Sequence, residues 1–331
     1  MSGRALVMRL RRCLRPVKRA SIGPGGMLLG LVLRASGRRL GLALVYHRVG
    51  DPAGDPEREL VPAQSVASLR AQLAMLRRWY TVVPAAELEQ RAAARRRFER
   101  FCVAITFDDD WAGHHDVTLP LLGEAGVTAT FFLSGATLER PFGFWYERVQ
   151  EAFDRGLAAR AFGEGAEVHA VGARVESLSR NERRATVEQL DELLGPPAGG
   201  LRAAAVRRMS DAGHEIGFHT RTHDTLTTLD MTELGAALRE GRADLEEAAG
   251  APLEAIAYPS GRVDDVVASA ARDAGFRRGY TTQPEPVRPG EDALRLGRVD
   301  GALHTPEGLH LALGRTLLTR SRTRASTPAP R

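Results

Sequence analysis

Seven short apolar runs of β character punctuate the chain: "LALVY" (42–46), "TVV" (81–83), "VAITF" (103–107), "ATFFL" (129–133), "EIGF" (215–218), "AIAY" (255–258) and "GYTT" (279–282). Between most of them, apolar residues recur at helical spacing. Leu69, Leu73 and Leu76 stand four and three apart, and Leu234, Leu238 and Leu245 four and seven apart, each set placing one apolar stripe on a helix. Alternation of strand and helix predicts an α/β fold, a parallel sheet covered by helices, and seven repeats approach the number that closes into a barrel. The rhythm breaks between about 140 and 206, where "RPFGFWYERV", an Ala/Arg/Glu-rich stretch and "GPPAGG" (195–200) predict a helical insertion, not a second domain.

The composition, 331 residues with 43% hydrophobic and 26% charged, is that of a soluble globular chain. A net charge of +5 hints at nucleic acid or membrane, but its distribution changes that reading. Residues 1–50 hold 11 Lys and Arg and no acid, which leaves 35 bases against 41 acids in the rest. The body is acidic, and no nucleic-acid partner is expected. Residues 1–39 read as a basic N-terminal arm, 40–314 as the barrel, and 315–331, "RTLLTRSRTRASTPAPR", as a disordered basic tail. The segment 4–19 could lie on an anionic membrane surface. "SIGPGGMLLGLVL" (21–33) is too short, and too broken by Gly and Pro, to span a bilayer, and no clean cleavage site follows it. The expected location is cytoplasmic or peripheral to a membrane, with secretion the lesser reading. Cys13 and Cys102 are too few and too far apart for a disulfide framework.

In parallel α/β folds chemistry collects where strands end. His47 follows the first run, Asp108, Asp109 and Asp110 the third, His219 and His223 the fifth, and Pro259, Ser260 and Gly261 the sixth. Six of the nine histidines fall in or beside these segments: His47, His114, His115, His214, His219 and His223. Neighbouring carboxylates repel unless a cation or a shared proton relieves them. Two histidines four apart, on one helical turn or in a tight loop, can face one divalent ion, and a carboxylate is the natural third ligand. Such a His2Asp set leaves positions open on the ion, as hydrolysis needs. Alone, "HTRTH" reads equally as a solvated loop and "FDDD" as a helix cap; together, at two strand ends, they point to a metal site.

These motifs resemble those of the polysaccharide deacetylases of the NodB-homology type, a carbohydrate esterase family, over about residues 40–313. "ITFDDDW" resembles the first motif, "AGHEIGFHTRTHDTL" (212–226) the second and "IAYPSGRVDD" (256–265) the third. "VYHRV" (45–49) resembles the N-terminal motif of members whose motif order is shifted. The resemblance implies a deformed (β/α)7 barrel and metal-dependent hydrolysis of an N- or O-acetyl group on a sugar, with metal-bound water as nucleophile. The implied substrate is an acetylated glycan or lipid-linked sugar. Carried over by position, Asp109, His219 and His223 hold the metal, zinc first with cobalt, nickel or manganese as alternatives. Asp108 is then the general base and His47 the general acid. The backbone N–H of Ser260, in a loop with Tyr258 and Pro259, faces the oxyanion. Trp111, after the acids, reads equally as a wall of the sugar pocket and as a ring buried against the barrel rim.

The chain departs from the family where Asp110 replaces a usual Gly, in a loop expected to need positive φ, and where Ala257 and Ser260 alter the third motif. An Arg that orients the catalytic Asp is missing from that loop, and Arg298 in "LRLGRVDG" (294–301) is the candidate to replace it. Trp145 and Tyr146 come from the insertion to cover the site. If the insertion is a lid, removal of 140–206 should spare metal binding and abolish action on the natural substrate; equal loss of both would mark a structural role. The alternatives are a non-catalytic glycan-binding barrel and an amidase acting on a non-sugar substrate.

Overall fold

The computed structural model describes residues 23–302 and 304–319. Eight parallel strands form one curled sheet: β1 Gly41–Tyr46, β2 Thr81–Val82, β3 Cys102–Asp108, β4 Thr130–Leu133, β5 Glu215–Phe218, β6 Ala255–Ala257, β7 Arg278–Tyr280 and β8 Val299–Asp300. Their order is β7-β6-β5-β4-β3-β1-β8, with β2 beside the start of β3. The register sets Leu44 beside Ile105, Phe107 beside Phe131, and Phe131 beside Ile216. β1 and β3 are buried along their whole length, which explains why they read as unbroken apolar runs and not as alternating ones. The sheet curls as a deformed (β/α)7 barrel does. Between β7 and β1 the wall is irregular: Val287 exchanges both backbone hydrogen bonds with Gly41, each of 2.9 Å, and Leu296 pairs with Gly279.

Helices cover the outside. Leu69, Leu73 and Leu76 are buried on helix Val66–Trp79, whose N-cap Ser65 accepts from the Ser68 N–H. The stripe of Leu234, Leu238 and Leu245 is split over two helices, Met231–Ala237 and Arg242–Ala249, because Gly241 between them adopts φ +75°. β8 escaped the sequence reading because two residues carry no periodicity.

Between β4 and β5 the helices Trp145–Asp154, Ala158–Phe162, Val168–Glu176 and Arg180–Leu194 surround a small core of their own, built from Val149, Ala152, Val171, Val175, Leu190 and Leu194. The next helix, Ala203–Asp211, packs on the barrel and straddles residue 206, where the insertion was expected to end. At the chain ends, helix Pro24–Ala35 packs against helix Pro306–Leu318 through Gly26, Gly30 and Leu33. A tail boundary at 315 therefore falls inside a helix whose Thr316 and Leu317 are buried. Segment 4–19, with Cys13, lies outside the described residues; Cys102 is a buried free thiol. No helix among the described residues is long and apolar enough to cross a membrane.

Candidate active site

The three aspartates at the end of β3 point to three different destinations. Asp108 is the last residue of the strand, and the backbone turns at Asp109, which adopts φ +76°. This left-handed turn, tolerated by Asp, falls one residue before the position expected to need it. Asp108 is gripped by Arg298: Nη1 donates to Oδ1 and Nη2 to Oδ2, both at 2.7 Å. The same guanidinium donates to the Thr106 hydroxyl and the Thr281 carbonyl. Burial would raise the Asp108 carboxyl, but Arg298 and then His219 outweigh it and hold it at about 2. Asp110 faces away from this pair. It accepts hydrogen bonds from Ser134 N (2.8 Å) and Oγ (2.6 Å) and from Thr137 Oγ1 (3.1 Å), fixing the turn after β4.

Asp109 faces the two histidines. His219 Nε2 and His223 Nε2 lie 3.6 and 3.7 Å from its Oδ1. Donor atoms of all three residues fall within 4.8 Å of one another. The separations exceed hydrogen-bond range but suit a shared cation: tetrahedral ligands at roughly 2.0–2.1 Å stand about 3.4 Å apart. The histidines approach through a tight loop, not a helix, with Thr220 at φ +57° and His223 at φ +53°. His219 Nδ1 meets the Ala257 carbonyl at 2.8 Å, so Nδ1 carries the proton and Nε2 offers a lone pair. Burial, partly offset by Asp109, pushes the His223 ring down to about 4, keeping it neutral as a ligand must be. Burial and then Asp109 push half-buried Glu147 up to about 8. Two ligand imidazoles, one carboxylate and an acidic neighbour fit a divalent cation.

The other expected residues divide. His47 follows β1 directly, is half-buried, and lies in the fields of Asp108, Asp109 and Asp300. Trp111 is tied to the metal-type cluster: its Nε1–H donates to Asp109 Oδ2 at 3.3 Å, and the Arg48 guanidinium lies 4.9 Å from its ring. Tyr146 packs edge-on against His223 at 5.1 Å, and its buried hydroxyl has no hydrogen-bond partner among the described residues. Tyr258, directly after β6, is fully buried and donates its hydroxyl to the Leu294 carbonyl. Pro259 is buried at the start of a 3-10 turn that carries Ser260 at φ +57°. His114 is fully buried, and its Nε2–H donates to the Asp108 carbonyl at 3.0 Å; His115 pairs with Asp116 at the surface, and His214 accepts from the Ala129 N–H.

The insertion is wired into both site loops. Buried Arg183 and neighbouring Arg180 pair with Asp224, the residue after His223, at 3.0 and 3.2 Å. The Ser260 hydroxyl donates to Glu176 at 2.6 Å. Sequence reasoning missed Asp224, Arg183, Glu176 and Glu147. Asp224 alone had a signal, its place directly after the second histidine.

The profile of the polysaccharide deacetylase family matches residues 95–279. Among solved structures, the chain is similar to the Streptococcus pyogenes deacetylase PplD in complex with acetate, with a TM-score of 0.58, 18% identity, and coverage of 83% of this chain and 98% of that one. It is also similar to IcaB from Ammonifex degensii (TM-score 0.56, 20% identity, coverage 84% and 97%). A de-N-acetylase from Aggregatibacter actinomycetemcomitans follows (TM-score 0.55, 17% identity, coverage 80% and 96%). The chain belongs to the polysaccharide deacetylase family.

Proposed function

We propose that this deacetylase is a divalent-metal-dependent hydrolase that removes N-acetyl groups from a sugar polymer or lipid-linked sugar. The observation that carries the reading is the juxtaposition, at one strand end, of an Asp109, His219 and His223 cluster with an Asp108 held ionised by Arg298. A divalent cation held by the cluster, zinc first by its donor set, supplies positive charge that polarises the acetyl oxygen and acidifies water.

The residues do the remaining work. Asp108 takes the proton of the attacking water, and Arg298 fixes which way its oxygens face. The tetrahedral oxyanion is met by the Ser260 N–H. His47 gives a proton to the departing amine, so that acetate and a free amino sugar leave. Trp111 and Tyr146 wall the acyl end of the pocket. The de-N-acetylase among the structural neighbours supports the amide over the ester substrate. A glycan-binding barrel would have no use for an ionised carboxylate oriented beside a metal-type cluster.

The test is acetate release with appearance of free amines from N-acetylglucosamine oligomers, comparing wild type with Asp108→Asn. Release by wild type alone supports the proposal. Silence on every N-acetylated glycan, with release from a non-sugar amide, would move the substrate class.

A further inference from the structure

Of the eight large apolar side chains that stand well exposed among the described residues, six gather on one wall of the barrel. Met27, Leu28, Leu31 and Val32, at 42, 63, 55 and 59% exposure, form the outward face of helix Pro24–Ala35. Its inward face is occupied: a Cβ on Gly30 would meet the Trp79 ring at 3.2 Å. Phe98, 62% exposed, joins the carboxyl end of this helix, since its N–H donates to the Arg34 carbonyl at 2.7 Å. Leu318 follows Leu317, whose carbonyl accepts from Arg38. Buried Arg95 bonds the carbonyls of Arg34, Ser36, Arg38 and Glu99, which makes the helix end and the loop 95–100 one rigid surface.

The charge around this apolar face is mostly basic. Arg38 and Arg39 are exposed at the helix end, and exposed Arg96 and Arg97 flank Phe98. The exposed acid of that loop, Glu99, accepts from the Arg96 N–H. Apolar side chains and an aromatic ring held out on a rigid wall, rimmed by arginines, match an anionic membrane interface. A second copy of the chain is a poor fit, because an isologous contact would press two arginine-rich rims together.

We propose that this wall docks side-on to an anionic lipid surface, its apolar face entering the interface and its arginines meeting the headgroups. The Gly23 N–H donates to Glu307 at 3.1 Å, at the barrel end where β8 delivers Asp300. The docking helix thus begins beside the mouth of the site. The inference does not depend on the hydrolytic reading.

The experiment is co-sedimentation of the full chain with phosphatidylcholine vesicles, with and without phosphatidylglycerol, for wild type, L28E/L31E and Phe98→Ser. Circular dichroism and thermal melting report that each variant is folded. Wild type should partition to the phosphatidylglycerol vesicles, less so at high salt, and the double variant should lose roughly tenfold or more of that binding. Equal binding by L28E/L31E overturns the proposal, as does absence of wild-type binding. A wild-type dimer that L28E/L31E dissociates, with no vesicle binding, would assign the face to a second copy instead.

Discussion

The guanidinium of Arg298 holds both carboxylate oxygens of Asp108, although the two residues stand 190 positions apart. The Arg that the third motif lacks is thus supplied from the end of the chain, entering the same space from β8 instead of β6. Arg298→Ala leaves a buried carboxylate without its partner and should destabilise the protein by about 3–5 kcal/mol. Arg298→Lys keeps the charge but loses the fork, and should retain more stability while acetate release falls roughly a hundredfold, as expected when a reacting group is misplaced. Denaturant unfolding and initial rates on the two variants check this; full activity in Arg298→Lys would show that orientation is not what the residue provides.

Asp110 stands where the family usually has Gly, and the structure gives it a structural task. Its carboxylate gathers donors from Ser134 and Thr137, away from the histidines. Asp110→Gly should therefore cost about 2–3 kcal/mol through unpaired buried donors, with acetate release per folded molecule unchanged. A gain in activity without loss of stability would restore the view of Asp110 as a defect in the site.

The insertion behaves as a brace and not only as a cover. Arg183 and Arg180 hold Asp224, and Glu176 holds Ser260. By these contacts removal of 140–206 should cost metal binding as well as activity, the outcome that marks a structural role. Arg183→Met should weaken metal affinity by roughly tenfold, in the range seen when outer partners of metal ligands are removed. Isothermal titration with zinc reads this directly, and wild-type affinity in the variant would return the insertion to a lid.

Acid should destabilise the fold through His114. Burial pushes its ring down to about 4, against roughly 6.5 in an unfolded chain. Between those values the unfolded chain takes up a proton that the folded one refuses, so stability is full above pH ~6.5, falls as pH drops, and levels near pH ~4. The loss is about 3 kcal/mol for this group. His114→Gln retains a donor for the Asp108 carbonyl and should flatten the slope of unfolding free energy against pH over that window. An unchanged slope would place the acid sensitivity elsewhere.

Six of the seven apolar runs were legible because β1 and β3 to β7 are largely buried strands, and clustering of titratable residues at their ends singled out Asp108, Asp109, His219 and His223. Arg298 was legible only as a charge of the right kind, since its partner is set by sheet closure. The burial of Tyr258, whose hydroxyl goes to the Leu294 carbonyl, left no trace in the motif that names it. The bracing by Arg183 and Glu176 left no trace in the sequence: contacts between an insertion and a loop obey no spacing rule.

The central claim, a metal cluster beside a separate ionised carboxylate, is tested most directly by zinc binding and acetate release measured together on metal-stripped wild type, Asp108→Asn and His219→Ala. Zinc bound by wild type and Asp108→Asn but not by His219→Ala, with acetate released by zinc-loaded wild type alone, is the predicted result. Undiminished zinc binding in His219→Ala, or full acetate release by the stripped wild type, would contradict it.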